Sequence, residues 1–117
     1  FLKKNNNYKF NTILDIGGKI VKEDDKYTVK DNQMLKNLVV SSTDLKPGKS
    51  TSGHAHPGQE EVYNFIKGSG KMKVDEETFP VKEGDLILVQ DGSFHQVINN
   101  SKENLYFVCV FDGSRSH

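Results

Sequence analysis

The chain has 117 residues, enough for one compact domain and too few for two of ordinary size. Lys and Arg number 16 and Asp and Glu number 16, and a zero net charge argues against nucleic acid as the main partner. With 34% apolar residues and a mean hydropathy of -0.63, the composition suits a soluble domain with one core, and no apolar run nears the roughly 18 residues that span a bilayer.

No signal-peptide pattern opens the chain, although a start at Phe1 instead of Met leaves room for a leader already removed. The single cysteine, Cys109, sits in the apolar run 105–111 and reads as a small buried hydrophobe. A reducing, cytoplasmic compartment is the simplest expectation.

In chain order, residues 1–11 are polar and Asn-rich, as in a loose arm or a first edge strand, and residues 12–117 form the single domain. Short apolar clusters from Ile13 to Val40 are broken by Gly17-Gly18, Asp24-Asp25 and Asp31-Asn32, a spacing that suits strands. Pro47-Gly48 and Pro57-Gly58 are turns. Glu61 to Lys67 is rich in β-branched and aromatic residues and predicts a strand. Lys71 to Val74 alternates polar with apolar, and Lys71, Lys73, Glu76 and Glu77 suit a solvated edge. Leu86 to Val89, Phe94 to Ile98 and Leu105 to Phe111 complete the strands, and no amphipathic helix of ten residues is found. The pattern predicts an all-β sandwich or barrel.

Of the four histidines, His117 is the last residue and reads as a disordered end. His54 and His56 are an i, i+2 pair, which on a strand would share one face. Glu61 follows a turn that lets its carboxylate face them, and His95 opens a later strand just past Asp91-Gly92. Three imidazoles and one carboxylate make a coordination set for a divalent transition metal, with positions left open for water or substrate.

These residues resemble a known family. Gly48-x5-His54-x-His56-x4-Glu61-x6-Gly68 fits the first cupin motif. Gly84-x5-Gln90-Asp91-Gly92-x2-His95-x3-Asn99 fits the second, with Gln90 where the family usually has proline. The 15 residues between the motifs, Ser69 to Glu83, match the short spacing of compact single-domain cupins. The resemblance implies a double-stranded β-helix, the jelly-roll barrel, with one Fe, Mn, Ni or Zn ion held by His54, His56, Glu61 and His95. Glu60 is the competing carboxylate, and Glu61 is preferred because its interval to Gly68 also fits.

Strand parity adds expectations for the pocket. If Glu61 points inward, so do Tyr63 and Phe65, and Val97 follows His95. Ser52 shares the face of His54 and His56. Tyr63 is a candidate proton donor or substrate-orienting group, or equally a barrel-lining aromatic. Asn99 is expected to secure the turn after its strand.

Fold does not fix function. Three readings stay open. The first is a metal-dependent isomerase or epimerase acting on a sugar or keto compound, with the ion as Lewis acid. The second is a dioxygenase, and the third a non-enzymatic small-molecule-binding domain. Neither a nucleic-acid nor a membrane partner is expected. The run Leu105 to Phe111 is apolar on both faces, so one face needs covering, and a homodimer packed sheet to sheet would cover it.

Overall fold

The computed structural model describes residues 7–113. His117, Arg115 and the first six residues of the N-terminal arm lie outside that range. The described elements are nine strands: β1 (Lys19–Glu23), β2 (Tyr27–Asn32), β3 (Leu38–Leu45), β4 (Glu61–Lys67), β5 (Ser69–Val74), β6 (Glu77–Lys82), β7 (Leu86–Val89), β8 (His95–Ile98) and β9 (Leu105–Asp112). Among the described residues no helix is long and apolar enough to cross a membrane.

The strands form two antiparallel sheets, one of six strands in the order β1-β2-β3-β9-β4-β7 and one of three in the order β6-β5-β8. This is the all-β jelly roll that the motifs predict. Alternation decides what fills it. On β4, Glu61, Tyr63 and Phe65 are buried while Val62, Asn64 and Ile66 are half-buried on the other face. On β2, Tyr27, Val29 and Asp31 face inward in the same way. Phe65, Leu45, Met72, Leu105 and Val97 are fully buried in the core, and Phe65 meets Phe107 at 5.3 Å between ring centroids.

Two motif residues explain how the turns hold. Gly68, at φ +88°, joins β4 to β5, and a Cβ there would lie 2.5 Å from the Asn104 carbonyl oxygen, so only glycine fits. Asn99 is fully buried and satisfied on both ends of its amide. Its Nδ2 donates to the Leu45 and Glu103 carbonyls at 2.9 and 2.8 Å, and its Oδ1 accepts from Ser101 N and Oγ. It secures the turn after β8, as expected.

The sequence pattern sets no strand between Val74 and Leu86, yet 77–82 form β6, with Glu76 and Glu77 exposed as expected of a solvated edge. The Pro80 within it is tolerated because β6 has a partner on one side only. The outer face of β9 is also covered in part from within the chain. Residues 12–16 fold back on it: Tyr106 Oη donates to the Ile13 carbonyl at 2.8 Å, and Asn32 Nδ2 donates to the Ile16 carbonyl at 2.7 Å. Ile16 and Val108 are buried.

Candidate metal centre

His54 is not on a strand, contrary to the premise behind the i, i+2 pair. It lies in the loop between β3 and β4 and forms an isolated antiparallel bridge with His95. The two residues exchange both backbone bonds, His54 N to His95 O at 3.2 Å and His95 N to His54 O at 3.0 Å. Residues paired in this way stand directly opposite, so their side chains share a face. The imidazoles meet at 4.8 Å between centroids. His56, two residues on in the loop, brings its ring within 4.4 Å of His54. A hydrogen bond from Gly58 N to the Asp91 carboxylate ties this loop to the turn before β8. The gathering of the histidines therefore comes from a cross-strand bridge and a tethered loop.

Glu61 opens β4 and is buried, whereas Glu60 is exposed. The Glu61 Oε1 lies 3.2 Å from His95 Nε2, close enough for an ion pair but without the alignment of a hydrogen bond. His54 Nδ1 lies 3.1 Å from the Ser52 carbonyl and His95 Nδ1 lies 3.0 Å from the Ser93 carbonyl. A carbonyl can only accept, so each Nδ1 carries the proton and each neutral ring keeps its lone pair on Nε2. This is the arrangement that orients imidazoles as metal ligands.

The electrostatics differ between the two rings. Burial lowers the pKa of His54, and the neighbouring His95 and His56 add to the effect. Burial acts on His95 in the same direction, but the Glu61 carboxylate and the Ser93 carbonyl outweigh it and hold its pKa above the ordinary 6.5.

His54, His56 and Glu61 line a pocket of about 270 Å³, and the buried His95 is not part of its wall. Ser52, His54, His56, Glu61 and Tyr63 contribute to its wall, as the sequence suggested. Tyr63 is 6% exposed and sets its ring edge-on to His95 at 5.7 Å. Phe65 and Val97 face inward, as parity required, but lie in the packed core and do not line the pocket. Parity fixes the face of a strand and not the depth along it. The sequence reading missed Lys22, Tyr27, Thr43 and Thr51, which also line the pocket. The alternation of β2 could have indicated Tyr27.

Among the described residues no three His, Cys, Asp or Glu side chains are drawn together as a ready-made metal cage. The chemistry of the set nevertheless suits an ion. A buried Nε2 without a hydrogen bond sits beside a buried carboxylate, and a cation would satisfy both.

Residues 41–111 match the Cupin domain family. An oxalate-binding protein of Thermotoga maritima is 32% identical over 66 residues, covering 56% of this chain and 54% of that protein. A glucose-6-phosphate isomerase of Thermococcus kodakarensis is 27% identical over 115 residues, covering 84% of this chain and 61% of that enzyme. The chain thus spans little more than half the length of these relatives. Among solved structures, the oxalate decarboxylase of Bacillus subtilis, described with Mn(II) centres, superposes with a TM-score of 0.74 at 22% identity. That superposition covers 85% of this chain and 29% of the decarboxylase.

Proposed function

The chain belongs to the cupin family, and we propose that it is a metal-dependent enzyme of isomerase or epimerase type, acting on a small sugar or keto compound in the cytoplasm. The observation that carries this reading is the buried His95 Nε2, left without a hydrogen bond beside Glu61, whose side chain lines the pocket. His54, His56, Glu61 and His95 would hold one divalent ion, Fe, Mn, Ni or Zn, the side chains moving inward to do so. The Mn(II) centres of the B. subtilis decarboxylase support such an ion in this fold. Once bound, the ion would act as a Lewis acid toward a substrate carbonyl.

The chain's own groups supply the rest. The Ser52 and Ser93 carbonyls fix the orientation of two imidazoles. Val29 and Phe107 form apolar wall and limit water. Tyr63 is the group that would move a proton, at its phenolic oxygen, to or from the carbon beside the carbonyl.

The test is solvent exchange. Mn(II)-loaded protein in D2O, incubated with keto sugars, their phosphates and 2-oxo acids, should place deuterium beside the carbonyl of at least one, without oxygen uptake. Oxygen consumption instead would establish the dioxygenase reading. Neither signal, with a compound still bound, would leave a binding domain.

We further propose a homodimer. Val40, Val110, Val62 and Leu88 form one cross-strand row on the outer face of the large sheet, ending at the open edge of β7. Leu88 is 71% exposed and Leu86 59%. A second copy placed on this row would cover both. Sedimentation at micromolar concentration should give a dimer, and Leu88→Lys should shift it to monomer. A monomeric wild-type protein would contradict this.

A further inference from the structure

Lys22 stands in the pocket wall because of an irregularity in β1. Across β1 and β2, Ile20 pairs with Lys30 and Lys22 with Val29, so Val21 is an extra, unpaired residue. Such a bulge shifts every later side chain by one position. Without it, Lys22 would face Thr28 on the outside of the sheet. With it, Lys22 stands opposite Val29, an inward-facing core residue, and Glu23 takes the outer position. The Glu23 carboxylate accepts a hydrogen bond from Thr28 Oγ1 at 3.2 Å, which fixes that outer placement.

Bulges beside a site commonly serve to re-aim one side chain. Here the re-aimed side chain carries the one full positive charge of a lysine or arginine among the described residues lining the pocket. Its ammonium lies 5.2 Å from the centre of the Tyr27 ring, itself part of the same wall. The Tyr27 ring and hydroxyl hold the long side chain over the mouth, and an ammonium with three donors keeps others for a ligand. The Tyr27 hydroxyl beside it raises the Lys22 pKa, so the charge persists across the physiological range.

We propose that Lys22 is the anchor for an anionic group on the substrate, a carboxylate or a phosphate, gripped at the rim while the reacting carbonyl lies toward Glu61 and His95. This deepens the function proposed above and rests on it only for the position of the reacting end. The pocket volume of about 270 Å³ holds the equivalent of about nine waters, which suits a small acid or a short phosphorylated molecule.

The test is calorimetric titration of Mn(II)-loaded protein with oxalate, inorganic phosphate and the neutral analogue oxamide, at low and raised salt. Wild type should bind at least one anion and not oxamide, and whether oxalate or phosphate binds identifies the group recognised. Lys22→Met should weaken that binding about tenfold, the effect of one charge-assisted hydrogen bond, and should lose most of its salt dependence. Lys22→Arg should retain the binding within about threefold. Lys26→Met, which removes a nearby lysine outside the pocket wall, should leave it unchanged. Metal content should be equal in all four proteins.

Equal anion affinity in wild type and Lys22→Met would overturn the proposal, as would binding of oxamide as tight as that of the anions. So would a metal-loaded wild type that binds neither anion. The same anions are titrated against metal-free protein by thermal shift. Lys22-dependent stabilisation there, in a protein that takes up no metal, would retain the anion anchor and refute the metal reading. Loss of both effects would refute both.

Discussion

Phe65→Ala should destabilise the protein by about 4 kcal/mol, near the middle of the range for truncating a fully buried aromatic. Phe65 has no exposed surface. Its ring lies 5.3 Å from Phe107 and 6.3 Å from Tyr63, so its loss removes apolar burial and two aromatic contacts at once. The cavity opens in the core directly beneath the pocket, where Tyr63 and Phe107 support the wall. Strands on both sides constrain the backbone, so the site has little freedom to collapse. For a chain of this size the loss corresponds to a fall of about 15 °C in melting temperature. Denaturant unfolding followed by circular dichroism measures it. A loss below about 1 kcal/mol would mean that the core is looser than the structure indicates.

His95→Ala should weaken metal binding by about a hundredfold or more, and acid should weaken it in the wild type. His95 is the most buried of the three imidazoles, and its Nε2 is the donor without a hydrogen bond. Removing it leaves the buried Glu61 carboxylate without the imidazole 3.2 Å away. The pH dependence follows from competition, because an ion binds the neutral ring and must displace its proton. Glu61 and the Ser93 carbonyl hold the His95 pKa above 6.5, so protonation of this ring begins to oppose the ion already above that pH. The lowered pKa of His54 keeps that ring neutral to lower pH. Apparent affinity for Mn(II) should therefore fall by about tenfold per pH unit below the His95 pKa, and more steeply once His54 also protonates. Titrations at pH 8.0, 7.0 and 6.0 would check this. An affinity independent of pH would exclude imidazole ligation.

Much of the barrel was legible because its signals are local. Glu61 to Lys67 and Leu86 to Val89 were bounded correctly from β-branched content and flanking glycines. Gly68 was fixed by backbone conformation, and the side chain of Asn99 by the turn it closes. What escaped the sequence was long-range. The His54–His95 bridge joins residues far apart in the chain, and the i, i+2 argument set His54 and His56 on a strand that is absent. Strand β6 was hidden by Pro80, whose cost depends on whether the strand lies at an edge, which is a matter of topology. Lys22 was hidden by a bulge, because parity counted along β1 places it on the wrong face. Phe65 and Val97 had the right face and the wrong depth.

The site itself divides along the same line. Residue types and spacing indicated the four candidate ligands. The electrostatics that distinguish His95 from His54 depend on which carbonyls and carboxylate come to lie beside each ring, and folding decides that.

The most direct measurement is metal content by inductively coupled plasma mass spectrometry, on untagged protein purified without chelator, beside the His54→Ala, His56→Ala double variant. The account predicts close to one Fe, Mn, Ni or Zn per chain in the wild type and almost none in the folded double variant. A wild type that takes up no metal, even after incubation with each ion, would contradict it.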